Sequence, residues 1–367
     1  MTKPRILITS AGGHTGMPAA LQLLEAGYLV RAFLRREDHR ARTLRDAGAE
    51  IFIGNLYDFE DLRIALRDVQ RAYHCQPFGP NLIHGSTLFA LAAEEAKLEV
   101  VTHLGAWNPH PKHTAIHQRE QWVAGSLLPW MPNVDVVHLN PGMFAFTYFL
   151  SLPFAAHLGV LNLPYGDGLN APPSNDDIAS VAAHTLMAPE RHIGKRYRPT
   201  GPEMISGHDA AAAIGEALDR EVRYEPAPDA LFLKAARAMG FSLFEISQVR
   251  HYIKEMRQGV FAAGGPTDHV LEVTGREPED FLTIARRYAA LPEAQRSWAN
   301  KLRLARLFAK IAVTRVPDLD QWLKSIHQPA LASGALAHES SEWRENADRQ
   351  QPSLLVSSIR AELPSPV

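Results

Sequence analysis

The stretch Arg5-Ile6-Leu7-Ile8-Thr9-Ser10-Ala11-Gly12-Gly13-His14-Thr15-Gly16-Met17-Pro18-Ala19-Ala20 decides the fold. An apolar strand runs into a glycine turn, and the turn opens an amphipathic helix through Leu21, Leu23 and Leu24. Helix N-terminal N–H groups and the helix dipole favour a negative charge at that place, which is where a dinucleotide fold seats its pyrophosphate. Small residues are needed there because a Cβ would keep the backbone away from phosphate. The pattern is imperfect, with Ser10 where the first glycine usually stands and Ala19 closing the series.

The next strand bears on the cofactor. Tyr28-Leu29-Val30-Arg31-Ala32-Phe33-Leu34 is followed by Arg35 and Arg36, then Arg40, Arg42 and Arg45. An NAD site usually carries an acid about 20 residues past the turn to hold the ribose 2′-hydroxyl. Arg35 occupies that place, and a guanidinium pairs with a phosphate but accepts nothing from a hydroxyl. NADP is therefore the expected cofactor. Arg42 and Arg45 read as the solvated face of the following helix.

The 367 residues contain 38 Lys plus Arg against 40 Asp plus Glu, with 46% hydrophobic and 21% charged residues. No field of one sign points to nucleic acid. No apolar run approaches the roughly 18–20 residues that cross a bilayer. The lone Cys75 excludes an intrachain disulfide framework and fits a reducing compartment, so a cytoplasmic location is expected.

Strands and helices alternate up to residue 140, with strands at 51–53, 72–75, 100–104 and 134–139. That order predicts an α/β, Rossmann-type, doubly wound parallel sheet. Ligands in such sheets sit at the carboxyl ends of the strands. The expected cofactor contacts are Ser10, Gly13, His14, Thr15, Gly16, Arg35, Asn55, Leu56, Gln76, Pro77, Gly105, Pro141 and Met143. A smaller, mostly helical second domain is predicted to follow. The expected division is 1–150 for the NADP-binding domain, with 175–200 returning to it, 151–290 for the substrate domain, and 291–367 for a helical extension and tail. Asn175-Asp176-Asp177 begins a helix through Met187, Ser206 with Asp209 signals a capping box, and Pro278 suits a helix first turn. In the extension, Leu302, Leu304, Leu307, Phe308 and Ile311 form an apolar stripe that should pack on the second domain or on a second copy as a homodimer. Asp318 to Ile326 continues that contact or covers the cleft.

Taken in order, these segments resemble the NmrA-like family of atypical short-chain dehydrogenases, which includes quinone and azo-dye reductases and cofactor-sensing regulators. The likeness covers about residues 4–290. It rests on the glycine turn, Val30-Arg-Ala-Phe-Leu-Arg35, Gly54-Asn-Leu56, Asn140-Pro-Gly-Met-Phe144, Asp177-Ile-Ala-Ser-Val-Ala-Ala183, Thr200-Gly-Pro202 and Val273-Thr-Gly-Arg-Glu-Pro278. The chain departs from the family at Gly105 and Ala106, where relatives often carry serines. It departs again at Asn140, where arginine is usual, and at Asn55, where aspartate is usual. No Tyr-x-x-x-Lys pair occurs near residues 105–125, so the proton donor of ordinary short-chain dehydrogenases is missing.

The resemblance implies a histidine or lysine facing the nicotinamide in the helix after the fifth strand, and His117 falls there. Histidine is the readiest proton donor near neutral pH. Trp107 would flank the site and Arg119 would orient substrate. Phe144, Phe146, Tyr148, Phe149 and Phe154 suggest an aromatic wall suited to a small aromatic substrate. His103, His110, His113 and His117 invite a metal reading, but Pro109 and Pro111 break the helix that such spacing needs, so no metal is expected. Two functions remain open: an NADP-dependent oxidoreductase acting on a carbonyl- or quinone-like molecule, or a non-catalytic NADP sensor that binds a protein partner.

Overall fold

The computed structural model describes residues 3–348. Seven strands form one parallel sheet: β1 (Arg5–Ile8), β2 (Leu29–Leu34), β3 (Glu50–Ile53), β4 (Arg71–His74), β5 (Val100–Leu104), β6 (Asp135–Leu139) and β8 (Arg196–Tyr197). Their order is β3-β2-β1-β4-β5-β6-β8. The expected doubly wound sheet is therefore the observed one, and its strand order reverses between β1 and β4, opening a crevice at their carboxyl ends.

The intervening helices are α1 (Gly16–Glu25), α2 (His39–Asp46), α3 (Phe59–Ala65), α4 (Leu82–Ala96) and α5 (Ile116–Leu127). One face of the sheet packs through Ile6, Ile8, Val30 and Leu139 against Ala19, Ala20 and Leu23 of α1. The other face buries Leu7, Phe33 and Val101 against Leu62 of α3 and Phe89 of α4. Strands buried on both faces read as continuous apolar runs, as β1 and β2 do.

Past residue 150 come α6 (Leu152–Leu158), α7 (Asn175–Met187), α8 (Gly207–Ala217), α9 (Asp229–Met239), α10 (Leu243–Arg257), α11 (His269–Thr274) and α12 (Phe281–Ala289). Helix α7 returns to the sheet and packs along α1. The Ser206–Asp209 capping box at α8 forms as expected. Pro278 does not open a helix, because α12 starts at Phe281 with Asp280 as its cap. A second sheet was not foreseen: β7 (Val160–Leu163) pairs in parallel with β9 (Arg223–Pro226).

The extension forms α13 (Trp298–Val313), α14 (Leu319–Ser325) and α15 (Ser341–Asp348). Leu304 and Ile311 are buried, and α13 packs on α9 and α6, whereas Leu302 stays exposed. The rest of the expected tail lies outside the described residues.

Candidate functional site

A cavity of about 1410 Å³ runs from the glycine turn along the ends of the parallel strands and on beneath α9, α10 and α13. Every expected cofactor position except Gly16 lines it. Gly16 is packed beneath the turn, where a Cβ would stand 2.4 Å from the Ser10 carbonyl oxygen. Ser10 has φ 49°, the left-handed region in which glycine costs least. Its hydroxyl donates to the Cys75 carbonyl at 2.8 Å, which ties the turn to the end of β4.

Helix α1 has no side-chain cap and no acid in its first turn. Thr15, at the cap position, accepts instead from the Tyr73 hydroxyl at 3.0 Å. Its N-terminus is thus left to face an anion. The amide of Gln76 on the cavity wall is buried with neither polar atom partnered among the described residues. Glycine turn, uncapped helix and unpartnered amide together fit a dinucleotide.

Arg35, Arg36 and Arg40 line the same end. Arg40 and Arg36 both engage Asp38, at 2.6 and 3.4 Å, and the hydrogen bonds from Arg40 hold the Asp38 carboxyl well below its usual range. Asp38 also caps α2 by accepting from the Arg40 amide. Among the described residues no ion pair engages Arg35, which is exposed at the tip of β2. Arg45 pairs with Glu37 at 2.6 Å, away from the cavity.

The two departures at Gly105 and Asn140 are one packing arrangement. Asn140 donates to the Ala106 carbonyl at 2.6 Å, and a Cβ on Gly105 would come within 2.8 Å of the Asn140 amide nitrogen. A serine at 105 would therefore need Asn140 to move.

His117 and Trp107 line the cavity, but Arg119 does not. Its guanidinium turns to the carbonyls of His113 and Pro329, at 2.7 and 2.6 Å, and so holds the extension rather than a substrate. The expectation for Arg119 is corrected: a place on α5 does not by itself fix which way the side chain faces. Trp107 is 2% exposed; its indole donates to the Val260 carbonyl at 2.8 Å and the Arg198 guanidinium lies 3.4 Å from the ring centre. It forms a rigid wall. Of the expected aromatics, Phe144, Phe146, Phe149 and Phe154 line the cavity, whereas Tyr148 is core, packed on Tyr165 and Phe281. His14 stacks on Phe146 with ring centres 4.4 Å apart, bridging the glycine turn to this wall.

Burial pushes the His117 imidazole down to about 3, with nearby His113 adding to the effect. The ring is therefore neutral at physiological pH, which leaves His117 a hydrogen-bond donor rather than a source of an acidic proton. Gln121, one turn on, places its amide nitrogen 3.5 Å from His117 Nε2. With that amide donating, Nε2 accepts and the ring proton sits on Nδ1, which has no partner among the described residues. A neutral ring N–H can still stabilise a developing oxyanion by hydrogen bonding. Phe78, not foreseen, packs on His117 with centres 4.1 Å apart. Cys75 sits on the wall with its thiol pushed up to about 11 by burial, which makes it a poor nucleophile.

The neighbouring polar cluster belongs to the architecture. His113 Nε2 lies 2.7 Å from Glu255 Oε1, and that carboxylate also accepts from Asn108 and from the Ala337 amide. His110 pairs with the Ser340 hydroxyl at 2.8 Å. These histidines do not converge on one point.

The sequence profile of the NmrA-like family matches residues 2–104. That match spans β1 to β5. It is 26% identical over 290 residues to NAD(P)H azoreductase of Xenophilus azovorans, covering 78% of this chain and 98% of that one. NADPH-dependent quinone oxidoreductase QOR2 of Escherichia coli, solved with NADPH, superposes with a TM-score of 0.66 at 19% identity, over 77% of this chain and 99% of that one. NmrA, a negative transcriptional regulator solved with NADP, gives a TM-score of 0.66 at 15% identity over 78% and 95% of the two chains. The two solved structures establish the shared fold. Among the described residues no helix of this chain is long and apolar enough to cross a membrane.

Proposed function

We propose that this protein is an NADP(H)-dependent oxidoreductase that moves a hydride to or from a small aromatic carbonyl- or quinone-like substrate. The observation that carries the reading is one continuous cavity with an anion-ready turn at one end and an aromatic wall around His117 beyond it. Relatives named as NAD(P)H azoreductase and NADPH-dependent quinone oxidoreductase support it.

On this reading residues 1–150, with 175–200, hold the dinucleotide, and 151–290 shape the substrate chamber. The α1 N-terminus and the glycine turn hold the pyrophosphate, Arg35 meets the 2′-phosphate, and Gln76 bonds the nicotinamide end. NADPH, when bound, supplies the hydride. His117 donates a hydrogen bond from its neutral ring to the substrate oxygen, Trp107 and Phe144 hold the substrate plane, and the oxyanion left by hydride addition takes its proton from water reaching the open end of the cavity. Catalysis then rests on orientation and hydrogen bonding.

The second reading, an NADP sensor, is favoured by the missing Tyr-x-x-x-Lys pair and by the uncharged His117. Calorimetric titration of NADPH and NADH, followed by NADPH oxidation with aromatic ketones, quinones and azo dyes, separates the two. Preferential NADPH binding with turnover of any of these acceptors supports the enzyme. Tight NADPH binding with none turned over supports the sensor, and equal affinity for both cofactors removes Arg35 from the argument.

A further inference from the structure

The cavity continues well past the glycine turn and His117, beneath the helices that follow residue 150. Ligand sites commonly occupy about 300–1,000 Å³, and this one reaches about 1410 Å³. Its far part lies between α6, α9 and α13. Phe154 of α6, Leu231, Phe232 and Met239 of α9, and Phe308 and Ile311 of α13 line it. Phe308 meets Phe154 edge-to-face with ring centres 5.4 Å apart, and Lys234 of α9 donates to the Ala312 carbonyl at 3.4 Å, fastening α13 over the chamber. The relatives above match about three-quarters of this chain and nearly all of their own length. A stretch as large as the extension therefore has no counterpart in them.

The distribution of charge selects the occupant. Arg35, Arg36 and Arg40 are the lysine or arginine side chains that line the cavity among the described residues, and all three stand at the glycine-turn end. The remaining charged wall residues are carboxylates, Glu225, Glu245 and Glu293, of which Glu245 is already engaged in capping α10. An anionic group in the far chamber would meet no cation and would face like charge. Leu231, Met239 and Phe308 are each partly exposed, at 41%, 39% and 44%, so the chamber opens to solvent through an apolar rim.

We infer that the extension helix α13 completes a chamber for an uncharged apolar tail attached to the reducible head of the substrate. This rests on the reading of the cavity as a substrate site, and it adds the class: a bulky or chain-bearing neutral molecule rather than an anionic one. Phe308 and Ile311 are specificity residues, not catalytic ones.

The test is calorimetric titration of neutral n-alkyl phenyl ketones, from acetophenone to decanophenone, into the full-length protein saturated with NADP⁺. Full burial of a methylene is worth up to roughly fourfold in affinity. The parent is expected to bind more tightly with each added methylene, and to bind the ω-carboxylate of the longest ketone at least roughly tenfold more weakly than its neutral parent. Phe308→Asp should abolish the gain with length while leaving acetophenone and NADP⁺ binding unchanged; Leu231→Asp, on α9, should do the same. Affinity that ignores chain length, a carboxylate that binds as well as the neutral ketone, or a Phe308→Asp protein that keeps the full gain would overturn the inference. Length-dependent binding with no NADPH oxidation by these ketones, by quinones or by azo dyes upholds the chamber and removes the hydride-transfer reading. Turnover with length-independent affinity does the reverse.

Discussion

The two ends of the cavity are built from different materials. At the glycine turn the wall combines backbone with polar side chains: α1 begins without a side-chain cap, Gln76 carries an unpartnered amide, and Ser10 sits at positive φ to shape the turn. Around α9, α10 and α13 the wall is side chain, and α10 and α13 are capped by their own serines, Ser242 and Ser297. The first amides of α10 and α13 are thus satisfied within the chain, whereas those of α1 are left for a ligand. A backbone wall fixes one ligand geometry. A side-chain wall can be retuned one residue at a time, which suits the first end to the proposed cofactor and the second to the proposed substrate.

Breaking the backbone end should have the largest effect. Gly16→Ala drives a methyl into the Ser10 carbonyl. It should cost about 3 kcal/mol of stability in denaturant unfolding and abolish calorimetric NADPH binding. Next, Arg35→Asp should weaken NADPH binding by about 2–3 kcal/mol while leaving NADH within roughly twofold, because a charge-assisted phosphate contact becomes a repulsion. His117→Ala probes the junction of the two ends. Turnover should fall roughly 100-fold, about 2.7 kcal/mol, with NADPH affinity unchanged. Because the ring loses its proton only near 3, the parent's turnover should show no limb belonging to His117 between about pH 5 and 8.

The smallest expected effect lies on the outer turn of α5. Burial raises the Glu120 carboxyl from 4.5 to about 7, against the opposing influence of Arg119. A folded value above the unfolded one stabilises the fold below pH 4.5, and that contribution is lost as pH rises through about 7. Glu120 keeps solvent contact, so about 1 kcal/mol is the expected size. Glu120→Gln should flatten the stability profile across that window by this amount, measured as unfolding midpoints at a series of pH values.

The sheet and the glycine turn were legible because their signals are local: apolar runs, small residues and caps lie within a few positions of one another. The pairing of β7 with β9 was not, since Val160 and Arg223 meet across a long separation and each strand has only four residues. Arg119 was misread because its direction is set by the Pro329 carbonyl, a contact made by a distant loop. The α13 stripe was visible, but the division of its residues was not. Leu304 packs inward and Phe308 faces the cavity, and sequence spacing alone does not distinguish a face that packs from one that lines a void.

One detail of the extension bears on how the chain is made. Glu255 is fully buried, and its carboxylate is solvated by the side chains of Asn108 and His113 and by the backbone amide of Ala337 at 2.8 Å. Synthesis runs from the N-terminus, and the earlier parts of a chain fold first. The strands and α10 are therefore made before the last donor to this acid. A chain ended before residue 337 would lack that donor and leave the Glu255 carboxylate one hydrogen bond short in the interior.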